Sequence, residues 1–339
     1  MCKKIYTGIF VLMIVLLIGG MFITLPYYIT EPGMAKKLAP IIKVENGYKE
    51  KGNFMLTTVR MGKANIYSYL EAKMSKYDEI YPQDEILGKK ETEEEYNLIQ
   101  LQMMAGAKLN AIDVAYRKAG IPVHYKYKGI YVMDVLPGMP ADGTLKPGDR
   151  IFKVDGNSFT SSKEFIDYVG KKHAGDPVTF TFLRNKQEKT ATLKLKPFKE
   201  SPNRVGIGIS LVDDKDIVVD PKVKINTADI GGSSAGLMFS LEIYNQLTKE
   251  DLTKGYQIAG TGTIDVDGTV GPIGGIEQKI VAADKAGAEI FFAPNEKGAQ
   301  NSNYRAAVKT AHDIHSKMKI VPVNNFDEAV NYLEKLPEK

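Results

Sequence analysis

Ala228-Asp229-Ile230-Gly231-Gly232-Ser233-Ser234-Ala235-Gly236 joins a strand-like segment to an apolar helix through small residues that carry a nucleophile. Glycines ahead of a serine let the backbone turn tightly and approach a substrate carbonyl, and the helix that follows points unpaired N–H groups at an oxyanion formed there. That arrangement suits acyl transfer at Ser234. A Gly/Ser-rich loop that merely caps a helix has the same composition, so a second group must decide.

Lys279 is the candidate. A strand-like run, Tyr256 to Ile264, is followed by the turn-rich Asp267-Gly268-Thr269-Val270-Gly271-Pro272-Ile273-Gly274-Gly275 and then by a predicted helix from Ile276 to Ala286, closed by Gly287. On that helix Ile276, Ile280 and Ala283 form the inward stripe. Lys279 sits at its edge, whereas Lys285 lies on the opposite face. Burial disfavours an ammonium ion, so a lysine there can lose its proton near neutral pH and serve a serine as general base. The alternative is a lysine that snorkels to water, and Val281 blurs the stripe.

Together, Gly232-Ser233-Ser234-Ala235-Gly236 and Gly271-Pro272-Ile273-Gly274-Gly275-Ile276-Glu277-Gln278-Lys279 resemble the proteolytic domain of the Lon family, over roughly Ser201 to the C-terminus. The resemblance implies an α/β (α+β) Lon-type fold and a Ser-Lys dyad, with Ser234 as nucleophile and Lys279 as general base. It also implies an assisting hydroxyl at Thr261, in the pair Thr261-Gly262. The chain departs from the family pattern at Gly231 and Ser233, where an aspartate and a proline are common. Ser233 leaves two adjacent hydroxyls, and Ala235-Gly236 sets the register that selects Ser234.

The 339 residues are enough for two or three domains with real cores. A net charge of +4, with no basic block interleaved with aromatics, argues against a nucleic-acid partner, and one cysteine, Cys2, rules out a cysteine zinc finger or an internal disulfide. Ile5 to Leu25 is an uncharged apolar run preceded by Lys3 and Lys4 and followed by Tyr27 and Tyr28. It predicts an uncleaved helix spanning a lipid bilayer with the remainder outside the cytoplasm, although Lys36 and Lys37 weaken the charge asymmetry. Residues 1–35 are thus read as cytoplasmic N-terminus and transmembrane anchor, and residues 36–122 as an α/β region of uncertain fold. In that region strands are expected at Ile41–Val44 and Phe54–Val59, a short helix at 64–75, and a longer helix opening on a Thr92/Glu95 capping box and running to Gly120. Glu91 and Glu93 to Glu95 are ordinary first-turn acids rather than metal ligands.

Residues 123–198 change texture to short strands and turns. Val135-Leu136-Pro137-Gly138-Met139-Pro140-Ala141, Leu145-Lys146-Pro147-Gly148-Asp149-Arg150-Ile151 and Val154-Asp155-Gly156 resemble a bacterial PDZ domain, β-rich and built to capture an extended peptide as an added strand. The expected carboxylate loop is Tyr127-Lys128-Gly129-Ile130. Phe165 and Val169, one helical turn apart, either line the side-chain pocket or belong to the core.

Residues 199–339 complete the proposed Lon-like unit. Two other readings compete with a peptidase. Gly232 to Gly236 also fits the G-x-S-x-G pattern of esterases, with His312 and His315 downstream as candidate bases or metal ligands. The third is a non-catalytic, membrane-bound PDZ scaffold. No G-x-x-x-x-G-K-[ST] run occurs in the chain, so an ATP-binding loop of that type is not expected. The resemblance therefore implies an ATP-independent, membrane-anchored serine endopeptidase acting on peptide or unfolded protein segments, without metal or cofactor, as a homo-oligomer.

Overall fold

A computed structural model describes residue 6 and residues 19–87, 92–228 and 230–339. The N-terminal part contains β1 (Thr24–Lys37), β2 (Ile42–Val44), β3 (Asn53–Asn65), α1 (Ile66–Met74), β4 (Glu79–Pro82), α2 (Gln83–Ile86) and α3 (Glu93–Lys118). The middle contains β5 (His124–Val135), β6 (Arg150–Val154), α4 (Ser162–Gly170), β7 (Pro177–Arg184), β8 (Gln187–Lys194), β9 (Lys196–Phe198), β10 (Ser201–Gly206) and β11 (Ile209–Val218). The C-terminal part contains β12 (Val223–Ile225), α5 (Gly236–Leu247), β13 (Gln257–Gly260), β14 (Thr263–Ile264), β15 (Val270–Gly271), α6 (Ile276–Lys285), β16 (Ile290–Pro294), α7 (Asn303–Asp313), β17 (Lys319–Val323) and α8 (Phe326–Glu334).

One sheet organises both ends of the chain. Its order is β17-β16-β13-β3-β1-β4, with β3, β13, β16 and β17 parallel and β1 and β4 antiparallel to their neighbours. Strand alternation sends Phe54, Leu56, Ile258 and Phe292 to one face, where they pack with α3, α5 and α8. The intervening Met55, Ala259 and Phe291 face the other way, against α6 and α7. The result is a helix-sheet-helix sandwich in which Phe239 of α5 is fully buried, worth about 1.5–3 kcal/mol for such a side chain. α3 begins where the capping box places it, with Glu95 N–H on Thr92 Oγ1 and Thr92 N–H on Glu95 Oε2.

This sheet corrects the domain boundaries expected from sequence. Residues 24–35 form most of β1 rather than the exit from an anchor, and β3 pairs directly with β13, so residues 36–122 are part of the same α/β unit as the C-terminal region. The physical reason is that β3, rich in apolar and β-branched residues, needs a partner on both edges to bury them. The spanning helix expected over residues 5–25 falls largely outside the described residues. Among those described, no helix is long and apolar enough to cross a membrane.

The β-rich domain sits between the two halves. Its sheet has the order β11-β5-β6-β7-β8 and a core of its own that includes Ile130, Val132, Ile151, Phe165, Phe180 and Ile207. It extends past residue 198, because β11 pairs along the whole of β5, from Ile209 against Val135 to Val218 against His124.

One buried polar cluster stands apart from the catalytic region. Glu242 of α5 is fully buried and faces Glu50, with Asp251 nearby, and Glu50 accepts from Asn245 Nδ2 at 3.2 Å. Burial first, then repulsion from Glu242 and Asp251 at Glu50 and from Asp251 at Glu242, pushes both carboxyls well above the usual carboxylate range. The folded state therefore holds a proton that the unfolded chain releases at ordinary carboxyl pKa, so this cluster's stabilisation is greatest in mild acid and is lost as pH rises. In thermal melts, stability falls between pH 5 and pH 8, and Glu50→Gln flattens that decline, raising the pH 8 midpoint by roughly 2–4 °C. An unchanged pH dependence in the variant would show that the pair is not protonated.

Candidate active site

Ser234 lies in the turn before α5, and its carbonyl is pinned from two directions. Gly262 N–H donates to Ser234 O at 2.9 Å and Thr261 Oγ1 donates to the same oxygen at 3.0 Å. Leu237 N–H in turn donates to Gly262 O, locking the first turn of α5 to the segment that leaves β13. Site residues thus gather at the carboxyl end of a parallel strand, where open α/β sheets place their clefts.

Lys279 comes from α6, which begins after Gly275 and packs against β1, β3 and α7. These neighbours cover more than the narrow stripe read from sequence: Val281 and Ala282 are buried as well, and Lys279 is only 2% exposed. The side chain does not snorkel. Its Nζ lies 2.6 Å from Ser234 Oγ and 3.0 Å from Thr261 Oγ1. Among the described residues no carboxylate pairs with it, so burial alone acts on the amine and lowers its pKa from 10.5 to about 7. A substantial fraction is neutral at physiological pH.

Ser234 and Lys279 open into a cavity of about 670 Å³ whose apolar wall includes Met34, Met61, Met103, Met104, Ile230 and Ile273. The amides of Ser233 and Ser234 donate to no protein acceptor among the described residues, which leaves them for a developing negative charge beside Ser234 Oγ. A buried neutral amine on a hydroxyl, with free N–H groups alongside, is equipped for serine acyl transfer.

The histidines expected as competitors play no part in this arrangement. His312 lies at the end of α7, near Asp313, with its side chain 88% exposed, and neither it nor His315 lines the cavity. Among the described residues no group of acids, histidines or cysteines forms a metal site.

The peptide-binding residues expected in the β-rich domain need correction. Lys128, Gly129 and Ile130 lie within β5 rather than in a loop. Gly129 pairs with Asp214 of β11, Ile130 pairs with Ile151 of β6 and is fully buried, and Lys128 forms an ion pair with Asp216 at 2.7 Å. Both edges of β5 are therefore occupied there, and the apolar Ile130 is drawn into the core. Phe165 and Val169 are 3% and 5% exposed within the domain core, the second of the two roles open to them.

An open strand edge occurs instead at β11, the terminal strand of this sheet, beside α4, whose Ser162 N–H donates to Asp213 Oδ1 at 3.1 Å. The link before β11 is Ile207-Gly208. Its carbonyls accept from Ala141 N–H and Leu136 N–H, whereas its two N–H groups donate to no acceptor among the described residues. Gly208 has a left-handed φ of 76°, a backbone turn of the kind that brings consecutive amides to one side. Arg204 lies just upstream over the Phe198 ring. The run Arg204-Val205-Gly206-Ile207-Gly208 directly before a strand is the sequence signal for this link.

Comparison with known proteins finds two domain families along the chain. Residues 117–195 match the PDZ domain family and residues 191–335 match the Lon protease (S16) C-terminal proteolytic domain. Lon protease of Trichlorobacter lovleyi is 36% identical over 107 residues, covering 31% of this chain and 12% of the relative. Lon protease of Rickettsia bellii is 25% identical over 196 residues, covering 56% and 24%. That of Metamycoplasma arthritidis is 27% identical over 151 residues, covering 44% and 17%. The chain thus spans less than a quarter of the length of these relatives. Among solved structures, the PDZ domain of an SdrC-like protein from Listeria monocytogenes is 42% identical, covering 26% of this chain and 90% of that one, with a TM-score of 0.24. Residues 191–335 are thus similar to the Lon protease (S16) C-terminal proteolytic domain, and residues 117–195 to a PDZ domain.

Proposed function

We propose that this chain is an ATP-independent serine endopeptidase in which Ser234 is the nucleophile and Lys279 the general base. The observation that carries the reading is the 2.6 Å approach of the buried Lys279 amine to Ser234 Oγ. Neutral Lys279 takes the Ser234 proton as that oxygen attacks the scissile carbonyl. The Ser233 and Ser234 amides hold the oxyanion, and Lys279 passes the proton to the departing amine. Water then repeats the sequence on the acyl-enzyme and frees the second product. Thr261 steers the amine by accepting from it while holding the Ser234 carbonyl.

The substrate is an extended or unfolded protein segment, laid along the cavity of about 670 Å³ beside Ser234. The apolar run at residues 5–25 anchors the protein in the plasma membrane, with both domains outside the cytoplasm, and the absence of a phosphate-binding loop motif from the sequence supports independence from ATP. The active form is a homo-oligomer. The PDZ domain takes a peptide C-terminus along β11, with the Ile207 and Gly208 amides on its carboxylate.

The full chain in detergent should cleave an unfolded model protein without ATP, and Ser234→Ala and Lys279→Ala should each lose activity by on the order of 10³ or more. His312→Ala should retain it; loss with His312→Ala and retention with Lys279→Ala would move the protein to the esterase class. Because the base must be neutral, kcat/KM should rise with pH through about 7 and then level. A profile flat from pH 6 to pH 8 would remove Lys279 from the role.

For the PDZ domain, calorimetry should find that amidating a peptide's C-terminus weakens binding by about tenfold or more, the loss of a charge-assisted contact, while Lys128→Ala leaves affinity unchanged. Equal binding of free and amidated peptides would contradict the placement at β11.

A further inference from the structure

The departure from the family pattern at Gly231 has a structural counterpart in α3. Gly232 N–H donates to the main-chain oxygen of Gln100 at 2.8 Å, and a Cβ on Gly231 would stand 2.7 Å from Gln100 Cβ. The φ of Gly231 lies outside the left-handed region, so close approach rather than backbone conformation is what requires glycine there. Two residues earlier, roughly 200° around the helix, Leu98 lies against the Pro147-Gly148 turn of the PDZ domain. A Cβ on Gly148 would run into Leu98 Cδ2. The first turns of α3 are therefore held between the PDZ turn and the catalytic turn, touching each through a glycine.

We propose that α3 is the positioning element of the catalytic turn: the Gln100 main chain sets Gly231-Gly232, and with them the Ser233 and Ser234 amides, while Leu98 ties that setting to the PDZ domain. The assignment rests on the endopeptidase reading and adds a residue that acts through others and touches no reacting atom. Gln100 lines the catalytic cavity together with Met103 and Met104 one turn on, so a shift of α3 reaches both the turn and the substrate wall. The contact also lets the state of the PDZ domain bear on kcat, since the turn before β6 and the strand β5 beside it share one core with β11.

The test is a mutant cycle in the full chain, read as kcat and KM on a cleavable peptide. Gly231→Ala should lower kcat by on the order of tenfold or more with KM nearly unchanged, because the turn is displaced from the reacting geometry. Adding Gln100→Gly removes the opposing Cβ and should restore most of the loss, an effect a general defect in folding would not show. Leu98→Ala should lower kcat severalfold and speed hydrogen exchange across residues 230–236 at an unchanged rate in α8. An unaltered kcat in Gly231→Ala, no relief by Gln100→Gly, or exchange indifferent to Leu98→Ala would overturn the proposal. A higher kcat in Leu98→Ala would overturn it too, since α3 would then restrain the turn. An unaltered chain that cleaves nothing would count against the endopeptidase reading alone, and the exchange measurement would still decide the role of α3.

Discussion

Everything in the catalytic region depends on one costly arrangement, an amine held out of water. Lys279 has no ion-pair partner among the described residues, so the fold meets the cost by keeping the side chain neutral and giving its nitrogen two hydroxyls, Ser234 and Thr261. That burial needs walls on several sides. β1 and β3 supply one, α7 another, and the loop from β13 a third. The chain's N-terminal strands therefore help to bury a lysine more than 200 residues later.

The PDZ domain interrupts this α/β unit rather than preceding it. β3 and β13, which lie side by side, are separated in sequence by the whole of that domain and α3. Both returns of the chain are anchored: Tyr116 of α3 donates to Pro221 O at 2.6 Å, and β12 pairs with β2. An inserted domain fixed at both junctions has its own motions coupled to the host more strongly than a domain on a single tether. Here the entering junction is the same helix that touches the catalytic turn.

The pairing of Ser234 with Lys279 is legible in the sequence because each lies in a short local motif, and the structure brings the two side chains within 2.6 Å. Ser234 lies in a short run of glycines that precedes a helix, Lys279 lies in the first turn of a helix that Gly274-Gly275 precede, and the Ala235-Gly236 register distinguishes Ser234 from Ser233. Long-range pairing is what sequence pattern conceals. β1 carries Pro32 and Gly33 at an irregularity in its register, which reads as a turn, and its strand character comes from β3 and β4 on its two sides. The resemblance to a PDZ domain places a carboxylate loop at Lys128-Gly129-Ile130, and the partners that make these residues a strand, β6 and β11, lie about 20 and 85 residues away. Helix α7 buries only small and polar side chains, Ala307, Thr310 and Ala311, so no stripe of large apolar residues announces it. Lys279 itself was placed at the edge of a stripe, and only the neighbouring elements show how completely it is enclosed.

The most direct measurement is the ionisation of Lys279. With lysine labelled by ¹³C at Cε, an NMR titration of the full chain should show one resonance titrating near pH 7, well apart from the others, and absent in Lys279→Met. If every lysine resonance titrates near pH 10 in the folded protein, Lys279 is an ordinary ammonium ion at neutral pH. Ser234 would then lack its base, and the account of this site as a Ser-Lys peptidase would fail.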